Sequence, residues 1–189
     1  MPLVLLLGGA RSGKSRLAVQ CAAAQAAPVV VIATAQARDE DMAERIRRHR
    51  AERPEAWHTV EEPADLEGAL TVVPRQACVL VDCLTLWVSN LMERGVGDAE
   101  IEQRACRAAV LAATRGPVVV AVSNEVGSGI VPSDAVARRF RDLLGRVNTA
   151  WAHTARRTAL VVAGQVLPLH SAEGIMAELS HQREMWLRS

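Results

Sequence analysis

The sequence predicts an α/β protein, layered α/β/α around a mostly parallel sheet. Two observations carry that prediction. Five short apolar runs alternate with helical patterns along the 189 residues. The first run is followed at once by Gly8, four intervening residues and then Gly13-Lys14-Ser15, a phosphate-binding loop pattern that requires a strand before it and a helix after it. Together they specify a P-loop NTPase-like, RecA-like arrangement.

The elements follow in order. The runs "PLVLLLG" (2–8), "PVVVIAT" (28–34), "ACVLVD" (77–82), "GPVVVAVS" (116–123) and "TALVVAG" (158–164) lack polar alternation, so each is expected as a strand buried on both faces. Helices are expected over 14–27, 39–52, 84–94, 98–114 and 134–156. Strands that alternate with helices form βαβ units, which places helices on both sides of the sheet. The loop "RGVGD" at 94–98 is too short to separate domains. One domain over 1–170 is therefore expected, with a tail over 171–189. Within the tail, 171–187 reads as an amphipathic helix with Ile175, Leu179 and Trp186 on one side.

Composition narrows the function classes. Half of the residues are hydrophobic, yet there is one Phe, four Trp and no Tyr, so Ala, Val, Leu and Ile must build the core. The formal net charge of +1 supplies no global field for nucleic acid or an anionic membrane. The apolar runs are strand-sized, well short of the ~20 residues that a membrane-spanning helix needs. The chain enters an apolar strand with no basic leader, so no signal peptide is expected. Cys21, Cys78, Cys83 and Cys106 are scattered without a C-x-x-C pair and are expected as reduced, buried thiols of a cytoplasmic protein.

The loop spans Gly8, Gly9, Ala10, Arg11, Ser12, Gly13, Lys14 and Ser15. Its glycines let backbone N–H groups turn around an anion, and the helix N-terminus adds a favourable partial charge. Lys14 is expected to reach the β- and γ-phosphates, and the Ser15 hydroxyl to ligate Mg²⁺. A second Mg²⁺ partner is expected at the end of another strand, and "CVLVD" supplies Asp82 there. The same Asp82 could instead cap the helix that starts at Cys83 or Leu84.

The stretch "RDEDMAERIRRHRAERP" (38–54) has an acidic first turn and a proline stop. Met42, Ile46 and His49 share a face, which directs His49 toward the body of the protein or into a cleft, with Arg45 and Arg53 along the stripe. A packed histidine beneath a solvated arginine face fits this pattern. So does a nucleophile: the arginines would bind a triphosphate, and an imidazole nitrogen could hold a transferred group covalently. A nucleic-acid-binding helix fits poorly, because no stacking aromatics lie nearby and net charge is near zero.

Four stretches in order carry a wider resemblance: "GGARSGKS" (8–15), "IATAQ" (32–36), "RIRRHRAERP" with "WHTVEEP" (45–63), and "VSNEVGSGIVPSDAVARRFRDLLGRVN" (122–148). With them the chain resembles the bifunctional adenosylcobinamide kinase/adenosylcobinamide-phosphate guanylyltransferases of cobalamin biosynthesis, from residue 2 to about 169. The resemblance implies a P-loop α/β fold, a homotrimer, and ATP and GTP as substrates with Mg²⁺. It implies phosphorylation of a corrinoid hydroxyl, followed by GMP transfer through a guanylylated histidine, here His49. Some members carry two adjacent histidines in this helix; here Arg48 precedes His49. Nucleotide contacts are implied for the loop, Thr34, Ala35, Gln36, Arg50, Arg53, Glu61 and Asp82. The role of the Asn124–Pro132 segment does not follow from it.

Overall fold

The computed structural model of the protein describes residues 3–172 together with Gly174 and Met176. The amphipathic pattern over 171–187, with Ile175, Leu179 and Trp186, therefore lies almost wholly outside the described residues. Seven strands form one sheet: β1 (Leu3–Gly8), β2 (Val29–Ala33), β3 (His58–Glu61), β4 (Cys78–Asp82), β5 (Val119–Asn124), β6 (Arg157–Val162) and β7 (Gln165–Leu169). Their spatial order is β3-β2-β4-β5-β1-β6-β7. Every pairing is parallel except the terminal β6–β7 hairpin. The helices are α1 (Lys14–Ala23), α2 (Glu40–Ala51), α3 (Leu66–Val72), α4 (Leu84–Glu93), α5 (Asp98–Ala113) and α6 (Ala135–Thr154).

The apolar runs of β1, β2, β4 and β5 form inner strands because both faces of the sheet are covered there. The run at 158–164 departs from the expectation, since of β6 only Val161 is buried. On one face Leu3, Leu5 and Leu7 of β1, Val79 and Val81 of β4, and Val119 and Ala121 of β5 pack against α3, α4, α5 and α6. On the other face Leu6, Val31, Leu80, Val120 and Val122 meet Ala18 of α1. The core is aliphatic apart from Trp87 and Trp151, and the Trp87 indole N–H donates to the Ala64 carbonyl at 2.8 Å. Among the described residues no helix is long and apolar enough to cross a membrane.

Three further elements depart from the sequence expectation. β3 is a four-residue edge strand without an apolar run, and α3 has only seven residues. β7 carries Pro168, which a strand accepts at a sheet edge where no ladder N–H is needed. The α1 pattern to residue 27 stops at Ala23, and the acid that opens the 39–52 pattern is the cap of α2: Asp39 accepts from the Met42 N–H at 2.7 Å. The cysteines are free, but only Cys78 is fully buried; Cys106 is exposed, on the outer side of α5.

Candidate nucleotide site

In a parallel sheet the carboxyl ends of the strands form one edge, where ligands of open α/β folds bind. The sequence-predicted residues gather there. Ala33 is in register with both Glu61 and Asp82, and Gly8 with Asn124. The loop after β1 bends where glycine is required. A side chain at Gly8, whose φ is +158°, would place its Cβ 2.5 Å from the Val161 carbonyl oxygen. Gly13 has φ +96° and sits against Gly164 in the β6–β7 turn, whose N–H donates to the Ser12 carbonyl at 2.8 Å. No side chain caps α1, so its first N–H groups stand open to an anion.

Lys14 is buried, and its ammonium donates to the Gly9 carbonyl at 3.0 Å. Burial lowers its pKa; Arg45 adds to this, and Cys83 and Asp82 oppose it. The ammonium is thus held by its own loop. Ser12 Oγ, beside it in the loop, is buried without a partner among the described residues.

A cleft of about 660 Å³ opens at this edge. Ser15, Ala35, Gln36, Asp82 and Asn124 line it together with Arg45, His49, Arg50, Arg53 and Glu61. Helix α2 buries none of its residues, so the face with Met42, Ile46 and His49 turns to the cleft rather than into the core. Ion pairs tie the end of this segment down. Arg50 pairs with Glu61, and Arg53 pairs with Asp82 at 2.9 Å. Asp82 therefore does not cap α4, whose N-cap is Cys83 without a side-chain bond. His49 is 32% exposed, and its Nδ1 stands 3.9 Å from Glu52 Oε2, beyond hydrogen-bond length.

Thr34 plays a different part from its neighbours. It is completely buried; its Oγ1 donates to the Cys83 carbonyl at 2.7 Å and accepts from the Cys83 N–H at 2.9 Å. Its side chain thus fixes the main chain beside Asp82, while Ala35 and Gln36 face the cleft. Behind it lies Asn90, a residue with no role in the sequence analysis. Its amide donates to the Thr34 carbonyl at 2.8 Å and the Pro63 carbonyl at 3.0 Å, and its Oδ1 accepts from Arg38 at 2.8 Å. An asparagine inside the apolar helix "LTLWVSNLM" is the signal that marks it, since a buried amide needs partners. Burial, with Asp82 next, pushes the Cys83 thiol up to about 11, so it is an inert neutral group beside the carboxylate.

The donor set suits Mg²⁺. Ser15 and Asp82 offer hard oxygens, and among the described residues no group of three or more His, Cys, Asp or Glu could form a complete protein cage. Mg²⁺ usually takes one or two protein oxygens and completes its shell with phosphates and water.

A phosphate loop at the end of the first strand, a carboxylate at the end of a nearby strand and a basic cleft above them define a nucleotide-using P-loop α/β protein. Solved structures bear out the fold. A prototypical ATPase from the type III secretion system of pathogenic bacteria aligns with TM-score 0.55 at 11% identity, covering 93% of this chain and 62% of that one. A protein of Pyrococcus horikoshii OT3 aligns with TM-score 0.54 at 8% identity, covering 90% and 87%. The chain belongs to the cobinamide kinase / cobinamide phosphate guanyltransferase family, whose model matches residues 4–169. It is 43% identical over 166 residues to the bifunctional adenosylcobalamin biosynthesis protein CobP of Pseudomonas aeruginosa, covering 87% of this chain and 95% of that one. It is 40% identical over 176 residues to the bifunctional adenosylcobalamin biosynthesis protein CobU of Escherichia coli K12, covering 86% and 96%.

Proposed function

We propose that this enzyme phosphorylates the hydroxyl of adenosylcobinamide with ATP or GTP, then transfers GMP from GTP to the resulting phosphate by way of His49. The observation that carries this reading is that His49 and Ser15 line one cleft, with Arg45, Arg50 and Arg53 around it. A kinase step needs positioning and charge stabilisation but no protein nucleophile. A nucleophile in the same cleft therefore belongs to a second step.

In the kinase step the loop from Gly8 to Ser15 holds the triphosphate, and Lys14 binds the β- and γ-phosphate oxygens. Ser15 and Asp82 hold Mg²⁺, which when bound supplies charge neutralisation along the phosphates. Ala35 and Gln36, with Thr34 behind them, border the nucleotide, as do Arg50, Arg53 and Glu61. In the transfer step a ring nitrogen of His49 bonds to the α-phosphorus of GTP as the bond to the α–β bridging oxygen breaks and pyrophosphate leaves. An oxygen of adenosylcobinamide phosphate then bonds to that phosphorus as the P–N bond breaks. Adenosylcobinamide-GDP forms and His49 is regenerated.

The same reading holds that the protein is a cytoplasmic homotrimer. Free thiols support the compartment. Exposed apolar residues in the loop before α6, at the start of α6 and on the outer hairpin support the assembly: Ile130 is 97% exposed, and Val131, Val136, Val166 and Leu167 are exposed with it. The domain over 1–170 carries the chemistry, with 171–189 as an appended tail. Light scattering at micromolar concentration tests the assembly, and a monomer contradicts it.

The chemistry is tested by product analysis with adenosylcobinamide and GTP. Wild type should give the phosphate and then the GDP derivative. His49→Ala should stop at the phosphate. A variant that still yields the GDP derivative overturns the assignment of His49.

A further inference from the structure

We propose that Asn124 binds the terminal phosphate of the nucleoside triphosphate in the kinase step, with its side-chain amide donating to a γ-phosphate oxygen. The inference rests on the nucleotide-site reading above and assigns a residue that neither the loop nor its metal partner accounts for.

Topology sets the position. β5 is wedged between β1, which feeds the phosphate loop, and β4, which ends in Asp82. Asp82 is in register with Val122 and Gly8 with Asn124. Asn124 therefore stands at the tip of the central strand, between the start of the loop and the carboxylate, where the end of a bound triphosphate must lie. Side chains alternate along a strand, and Val120 and Val122 face α1. Asn124 continues that side and lines the cleft together with Ser15 and Asp82. Ser123 points the other way, completely buried, with its Oγ 3.4 Å from Thr85 Oγ1.

The main chain at this tip is fixed by polar side chains placed for it. Thr85 Oγ1 accepts from the Asn124 N–H at 2.7 Å, and the Asn148 amide donates to the Asn124 carbonyl at 3.0 Å. The next N–H, from Glu125, donates to the Gly8 carbonyl at 3.1 Å, tying the tip directly to the loop. Thr85 and Asn148 are both buried. Yet among the described residues the Asn124 side chain has no hydrogen-bond partner. A rigidly held backbone that presents an unused amide into a phosphate cleft is a preorganised donor. The amide group suits this role, since its two N–H groups donate to phosphate oxygens, and having no charge it adds little hold on the diphosphate product. In the step it serves, the acceptor hydroxyl oxygen bonds to the γ-phosphorus as the bond to the β–γ bridging oxygen breaks. The electron pair leaves with the nucleoside diphosphate, and the hydroxyl proton passes to solvent.

The test compares wild type, Asn124→Ala, Asn124→Asp and Lys14→Ala with Mg²⁺ present. Calorimetry reads the binding of GDP and of a non-hydrolysable GTP analogue, and a steady-state assay reads cobinamide phosphorylation. Asn124→Ala should bind GDP as wild type does, bind the triphosphate analogue about tenfold more weakly, and lose about a hundredfold in kcat. Asn124→Asp should weaken the analogue further, because it sets a carboxylate against phosphate. Equal losses for GDP and the analogue in Asn124→Ala would assign the residue a structural role and overturn the inference. So would unchanged binding and turnover in Asn124→Ala while Lys14→Ala is impaired. If Lys14→Ala also binds both nucleotides normally, the nucleotide-site reading fails, and the inference fails with it.

Discussion

Arg53 and Asp82 form an ion pair of 2.9 Å at the edge of the cleft, with side chains only 8% and 18% exposed. It joins the segment that follows α2 to the strand end that carries the expected Mg²⁺ ligand. Since α2 buries no residue, this pair and the Arg50–Glu61 pair do for that segment what packing does elsewhere. Removing one partner of a largely buried pair leaves the other charge uncompensated, at a cost of about 3 kcal/mol. Arg53→Ala should therefore lower the melting temperature by about 6–12 °C in EDTA, and millimolar Mg²⁺ should restore part of the loss by occupying the freed carboxylate. Thermal unfolding with and without Mg²⁺ checks this; an unchanged midpoint contradicts it.

Lys14→Ala removes the ammonium that donates to Gly9 and that holds phosphates in the proposed function. Loss of one electrostatic contact of this kind typically lowers the rate by about a hundredfold or more. Both phosphorylation and GMP transfer should fall, because in the proposed function the same loop holds the triphosphate in each step. Steady-state rates for the two half-reactions check this, and near-normal turnover in either contradicts it.

The thiols give a pH signature. Burial pushes Cys78 and Cys83 up to about 11, whereas Cys106 is exposed on α5. The thiolate is the reactive form, and at pH 8 a thiol with a pKa near 11 is ionised to only about one part in a thousand. Iodoacetamide at pH 8 should modify Cys106 first and leave Cys83 untouched, with Cys83 reacting only as pH rises toward 11. Peptide mass spectrometry reads the order. Modification of Cys83 at the rate of Cys106 at pH 8 contradicts it.

The sequence shows some of this architecture directly and hides the rest for physical reasons. Strands buried on both faces leave continuous apolar runs, so β1, β2, β4 and β5 are readable; β6 is readable from its apolar run as well, although only Val161 of it is buried. β3 and β7 lie at the sheet edges, where burial imposes no such pattern, and Pro168 disguises β7 further. The loop is legible because its spacing is local. The Arg53–Asp82 pair joins residues 29 positions apart, and the Thr34–Cys83 bonds span 49, so only the folded sheet brings them together. Asn124 is visible in the sequence only as part of an unassigned motif. Its place between the loop strand and the Asp82 strand follows from the order β4-β5-β1, which no local pattern encodes.

In the proposed function one cleft performs both phosphoryl and nucleotidyl transfer, the second through His49. Incubation with GTP labelled at the α-phosphorus, followed by denaturing electrophoresis, decides this, with γ-labelled GTP in parallel. Wild type should retain the α-label and not the γ-label, in an adduct that is labile in acid and stable in base, as a phosphoramidate is. His49→Ala should retain none while still phosphorylating cobinamide. An α-labelled adduct on His49→Ala, or none on the wild-type protein, would contradict the proposed function and leave a simple kinase.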